Sequence, residues 1–218
     1  MMKRIVIAAI ALMATQQAQA QHLSLGPAVG FGDAWMSNMD NVQFKPTFNV
    51  GATFIYSVVP HFGIGADLRV HFMEGVAEKT TMGSIVEKST LNATYLRLPV
   101  KFIYFFGQYG DRLRPKVYIG PSFGVLLGGK TVTKQENTDY RVETNTTDLM
   151  RSFDFGLMAG AGLNWRIRQA TWLNLDLIYT HGLTDAGKMD GYQANRNLGI
   201  SAGITFPVGR DKSKPATK

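Results

Sequence analysis

Phe62-Gly63-Ile64-Gly65-Ala66-Asp67-Leu68-Arg69-Val70-His71-Phe72 is the stretch that decides the fold class of this 218-residue chain. Taken every second residue, it gives Phe62, Ile64, Ala66, Leu68, Val70 and Phe72 on one face. The other face carries Gly63, Gly65, Asp67, Arg69 and His71. Side chains of a β-strand alternate between faces, so this is a strand with one apolar face and one charged or glycine face. A strand of a transmembrane barrel has that character, because its outside meets hydrocarbon and its inside is polar.

The pattern recurs seven more times. Leu23, Leu25, Pro27, Val29 and Phe31 alternate with Ser24, Gly26, Ala28 and Gly30. Phe48, Val50, Ala52, Phe54, Tyr56 and Val58 alternate with Thr47, Asn49, Gly51, Thr53 and Ser57. Leu96 to Tyr104 sets leucine, valine and aromatic residues against Tyr95, Arg97, Pro99 and Lys101. Val117 to Val125 sets them against Tyr118, Gly120, Ser122 and Gly124. Phe153 to Trp165 opposes Asp154, Gly156, Gly160, Gly162, Asn164 and Arg166. Leu173 to Tyr179 opposes Trp172, Asn174, Asp176 and Thr180. Leu198 to Phe206 opposes Asn197, Gly199, Ser201 and Gly203. A soluble β-sandwich also alternates, but it does not need so many glycines on the polar face. In an eight-stranded barrel the interior is just wide enough for side chains to fill it. Inward glycines then make room for Arg69, Arg97, Lys101 and Tyr118. The expected fold is all-β, an eight-stranded antiparallel transmembrane up-and-down β-barrel.

The connections agree. Residues 33–45, 74–91, 128–152 and 184–194 are long and polar, whereas the links at Pro60-His61, Gly107 to Pro115 and Arg168 to Ala170 are short. Long and short alternate, as extracellular loops and periplasmic turns do in such barrels. The long loops sum to a charge of −3, and the short links plus the tail after Phe206 to +5. Within 128–152, Lys130 to Thr133 and Tyr140 to Thr144 alternate well enough to prolong two strands beyond the membrane. Phe62, Tyr104, Trp165 and Phe206 are expected in the periplasmic aromatic girdle, with Phe31, Phe48, Phe72 and Phe153 opposite.

The N-terminus carries an export signal. Lys3 and Arg4 precede an apolar run from Ile5 to Ala14, and Ala18-Gln19-Ala20 supplies small residues at a cleavage site between Ala20 and Gln21. The expected organisation is a cleaved signal over 1–20, a barrel over 21–206 and a basic periplasmic tail over 207–218. No stretch after the signal approaches the roughly 20 apolar residues of a helical span. The absence of cysteine excludes a lipid anchor and disulfides. Despite the sequence pI of about 9.6, nucleic acid is an implausible partner for an exported chain.

Tyr95-Leu96-Arg97-Leu98-Pro99-Val100-Lys101, followed by Val117-Tyr118-Ile119-Gly120-Pro121-Ser122-Phe123-Gly124, resembles the small PorT-like outer-membrane barrels of Bacteroidota. Phe153-Asp154-Phe155-Gly156-Leu157 with Gly160-Ala161-Gly162, and Tyr179 with Gly182-Leu183-Thr184, extend the likeness over nearly the whole chain. The resemblance implies an integral outer-membrane barrel of structural or interaction type, with an accessory role in an outer-membrane protein-secretion system. After the fourth strand, Gly107 to Arg112 stand where that secretion subgroup has a basic, serine- and arginine-rich turn.

No enzyme chemistry is expected. His71 (near Asp67, Ser84 and Ser89) and His181 (near Asp185) form no serine–histidine–acid set of recognisable spacing, and four scattered histidines suggest no metal. No cofactor is implied. The strongest constellation is the inward charge set Asp67, Arg69, Arg97, Lys101, Asp154, Arg166 and Asp176, with Asp67, Lys101 and Asp176 at similar height. A buried unpaired charge is costly, so these groups should pair or hold water. Two functions follow: a closed interaction barrel with a lumen plug, or a narrow porin-like barrel for small solutes. The expected surroundings are outer-membrane lipid and an envelope or secretion-system protein.

Overall fold

A computed structural model describes residues 23–208 apart from 40, 84, 109, 169–170 and 189–191. The export signal with Ala20 and Gln21, and the tail from 209 on, lie outside the described residues. The described residues form nine strands: β1 (Leu23–Met36), β2 (Pro46–Ser57), β3 (Phe62–Met82), β4 (Ile85–Phe105), β5 (Leu113–Gln135), β6 (Arg141–Asn145), β7 (Phe153–Arg168), β8 (Thr171–Gly182) and β9 (Asn195–Pro207). Eight of them close a ring. Sequence neighbours pair antiparallel, β5 pairs with β7, and β9 returns to β1. Closure removes the free edges that an open sheet would expose to lipid.

The alternation read from Phe62 to Phe72 is the alternation of the wall. Phe62, Ile64 and Leu68 are exposed, whereas Asp67 and Arg69 are buried in the lumen. Aromatic contacts gather at both ends of the apolar belt. Phe48 stacks on Phe72 at 5.0 Å, and Tyr104 meets Phe62 at 5.2 Å and Phe106 at 5.0 Å.

One expectation about the loops needs correction. Residues 74–91 are not a loop, because β3 and β4 continue as one hairpin to Met82 and Ile85. The charge pattern there is polar on both faces, so it lacks the amphipathic signal that marks a strand in lipid. The ninth strand, β6, pairs with the extension of β5 from Lys130↔Asn145 to Lys134↔Arg141. β3, β4, β5 and β6 therefore stand past the belt as a four-stranded sheet at the long-loop end.

The lumen is also not uniformly polar. Ile55, Ile103, Phe105, Tyr118 and Met158 form one buried apolar cluster inside the wall. Met36, Val76, Ala93, Tyr95, Met150 and Ala186 form a second at the long-loop mouth. The first cluster sits on the inward register, where a narrow barrel accepts any side chain that fills its interior, and the second adds Met150 and Ala186 from the loops.

Candidate functional site: the charged lumen

The lumen charges fall into three groups. In the first, Asp67 accepts from Lys101 Nζ at 2.5 Å and faces Arg69 at 3.0 Å. Arg69 also donates to Ser201 at 2.7 Å and to Asn49 at 3.1 Å, tying β3 across the lumen to β9 and β2. In the second, the Arg97 guanidinium lies between Glu74 at 2.5 Å and Asp154 at 2.6 Å, with the Tyr95 ring beneath it. Thr184 donates to the other Asp154 oxygen at 2.9 Å. In the third, Lys116 pairs with Asp176 at 2.9 Å. Tyr118 lies between the first and third groups, its ring 5.6 Å from Lys101 Nζ and 5.8 Å from Lys116 Nζ.

Three inward glycines make this packing feasible. A Cβ on Gly160 would lie 2.3 Å from the Tyr118 ring, and one on Gly162 would lie 2.2 Å from Asp176 Oδ1. One on Gly124 would lie 3.0 Å from the Arg97 guanidinium. Any larger residue at the first two positions displaces the charged or aromatic group it faces.

The arrangement departs from the sequence expectation at three points. Asp176 pairs with Lys116 rather than joining Asp67 and Lys101. Lys116 falls between the short link that ends at Pro115 and the alternation that starts at Val117, and β5, beginning at Leu113, turns it inward. Arg166 takes no part in the lumen network. It sits at the short-turn end, donates to the Gly110 carbonyl and lies over the Trp172 ring. The third departure is Glu74, which sequence reasoning had put in a loop.

Glu74 owes its position to a β-bulge. Between His71 and Glu74, β3 spends three residues where β4 spends two, Tyr95 to Ala93. The extra residue reverses the face, so a carboxylate two residues beyond lipid-facing Phe72 points into the lumen. Met73 takes up the distortion in the left-handed region at φ 62°. Lys45, in the loop before β2, donates through Nζ to the Met73 carbonyl and holds the bulge. Gly75 was the available signal, since a glycine inside a strand often marks a bulge.

Two small voids lie among these groups. One void of about 30 Å³ lies beside Asp67, Arg69, Arg97 and Asn197, and another of about 10 Å³ beside Glu74, Arg97 and Asn195. A single water fits each on volume grounds, and both linings supply polar partners.

The two candidate histidines have other partners among the described residues. His71 Nδ1 lies 2.9 Å from Glu74, and His181 Nδ1 contacts the Tyr179 hydroxyl at 3.1 Å. Asp185 is turned to Arg151 at 3.9 Å and to backbone amides of Gly187 and Gln193. Ser84 lies outside the described residues. Among the described residues, no three His, Asp or Glu side chains converge as metal ligands.

Comparisons place this geometry among known proteins. The chain is similar to Neisserial surface protein A at 11% identity, with a TM-score of 0.49 over 85% of this chain and 96% of that one. It is similar to OprG of Pseudomonas aeruginosa at 14% identity, with a TM-score of 0.48 over 84% and 95%. It is also similar to the outer membrane enzyme PagL at 14% identity, with a TM-score of 0.42 over 83% and 99%. No curated protein matches the sequence. The family model described as "Outer membrane protein beta-barrel domain" matches residues 17–187, most of the chain. With its strands closed into a ring and its apolar residues turned outward, the chain belongs to that outer-membrane β-barrel family.

Proposed function

We propose that this outer-membrane barrel is a closed protein of interaction type, with its long-loop end outside the cell and its lumen sealed by charge pairs. The supporting observation is the filling of the lumen. Three ion-pair groups and two apolar clusters occupy it, and the void beside Asp67, Arg69 and Arg97 measures about 30 Å³. A hydrated solute needs a continuous path, and a plug of paired charges removes it. The work of such a protein then falls to its ends. Its likeness at Tyr95–Lys101 and Val117–Gly124 to PorT-like barrels supports an accessory role beside an outer-membrane protein-secretion apparatus.

Single-channel recording tests the reading. Purified protein in planar bilayers should give no steady conductance, and Arg97→Ser should open brief, noisy events. Stable ohmic steps from the unsubstituted protein would replace the closed barrel with a narrow pore for small solutes. Affinity capture of the tagged barrel from outer membranes tests the accessory role, which fails if no component of a secretion apparatus co-purifies.

A further inference from the structure

The four-stranded sheet past the belt sorts its charges by face. β4 runs without an inserted residue from lumen-facing Tyr95, so Ala93, Leu91, Ser89 and Glu87 share the inner face. Thr94, Asn92, Thr90 and Lys88 share the outer one. Glu74 and Glu78, opposite Ala93 and Ser89, also lie on the inner face. The outer face is basic. Lys79 is opposite Lys88, Lys88 opposite Lys134, and Lys134 opposite Arg141. Four cations therefore stand abreast on four adjacent strands, with Lys130 on the same face.

Like charges directly opposite each other destabilise a sheet. The ends of the row are partly balanced: Lys79 pairs with Glu136 at 2.9 Å, and Arg141 lies 3.5 Å from Glu143. Glu143 is itself held by Lys130 at 2.8 Å. The two central lysines face each other, both are exposed, and neither has a carboxylate within 4.0 Å among the described residues. Glu74, Glu78 and Glu87 lie on the other face of this sheet, whereas Glu143 shares the basic face and is already held by Lys130 and Arg141.

We propose that this row is a binding surface for an anionic polysaccharide, a linear chain with one sulfate, phosphate or carboxylate on successive sugars. Strands lie about 4.8 Å apart, so the row offers a cation roughly every 5 Å over about 14 Å, across the strand direction. A linear polyanion laid along the row meets each cation in turn and relieves the repulsion between Lys88 and Lys134. The bilayer's own headgroups are out of reach. Lys88 is seven residues beyond Tyr95 on β4, which is about 23 Å along the strand and about 17 Å in height at a tilt near 40°. The headgroup layer is only about 5–8 Å thick. This inference gives the interaction reading a partner class, and its test uses purified protein, so it stands or falls independently of conductance and of orientation in the cell.

The test is binding of a fluorescent dextran sulfate oligosaccharide to the full barrel in nanodiscs of neutral lipid. The expected result is saturable binding at low salt that weakens as salt rises. Lys88→Gln with Lys134→Gln should weaken it at least tenfold while leaving the melting temperature unchanged or slightly raised. Arg112→Gln, at the short-turn end, should leave binding unaltered. The proposal is overturned if the double variant binds like wild type, or if wild type does not saturate. Polyglutamate binding more tightly than dextran sulfate would point to an acidic protein instead and also overturn it. So would attachment of wild type, lost in the double variant, to vesicles of anionic phospholipid, because the row would then be reading a membrane surface.

Discussion

β3, β4 and β5 each pass through two environments, and they place their charges oppositely in each. Within the belt, charged side chains point inward, are buried, and meet an opposite charge at 2.5–3.0 Å, as in Lys101–Asp67 and Arg69–Asp67. Past the belt, Lys79, Lys88 and Lys134 point outward, and cation faces cation across the strands. The wall cannot tolerate what the projecting sheet carries, because the outward direction in the belt leads to hydrocarbon. There an Arg or Lys costs about 2–4 kcal/mol at the midplane, whereas in water the repulsion between neighbouring lysines is a fraction of that. The surrounding medium, more than strand propensity, sets which face a charge takes.

The contrast is most sharply broken at Arg97. Its guanidinium bridges two lumen carboxylates, Glu74 and Asp154, which His71 and Thr184 contact as well. Arg97→Met leaves both without their cation and should cost on the order of 3–5 kcal/mol of unfolding free energy, read from urea titration in lipid or detergent. Adding Glu74→Gln and Asp154→Asn should recover most of that loss. If Arg97→Met unfolds like wild type, the lumen pairs do not hold the wall together.

A smaller effect is expected where the group contains only one pair. Asp176→Ala strands Lys116, and Lys116→Met added to it removes the stranded charge. The double variant should be more stable than Asp176→Ala by an amount a double-mutant cycle measures directly. Additive losses would mean that Lys116 and Asp176 do not act on each other. The same cycle on exposed Lys79 and Glu136 should give only about 0.2–1 kcal/mol.

The smallest effect concerns the seam between the two regions. Lys45 lies beyond the Phe48 girdle, and burial pulls its ammonium down from 10.5 to about 8. Its charged form is thus less favourable folded than unfolded, a penalty fully present below pH 8. Between pH 8 and 10.5 the unfolded chain binds the extra proton, so stability should rise with pH across that window. Comparison with Lys45→Met isolates the contribution. The rise in wild type should exceed that in the variant, and equal slopes would show that Lys45 is as well solvated folded as unfolded.

Much of the wall was legible before any coordinates, because a period of two is local. Phe62–Phe72 shows its two faces without reference to any neighbour, and a one-residue slip would put Asp67 and Arg69 in lipid. The hairpin of Lys130–Thr133 with Tyr140–Thr144 was legible for the same reason, and its pairs run from Lys130↔Asn145 to Lys134↔Arg141. The inward face of Asp67, Arg69, Arg97, Lys101, Asp154 and Asp176 follows from alternation too. Alternation assigned Arg166 inward as well, but at the end of a strand the lumen opens and a long side chain can reach the rim.

What alternation cannot contain is the partner across the lumen. Which cation meets which carboxylate depends on the stagger accumulated around a closed ring, and bulges change that stagger locally. Thus Asp176 meets Lys116 and not Lys101, and a single inserted residue at Met73 brings Glu74 to Arg97. The row of Lys79, Lys88, Lys134 and Arg141 has the same origin, since those residues are distant in sequence and neighbours only through register. The sequence by itself determined the strands, their faces and the medium each face meets. The tertiary structure decided the pairings, because they are distances between strands that no single strand encodes.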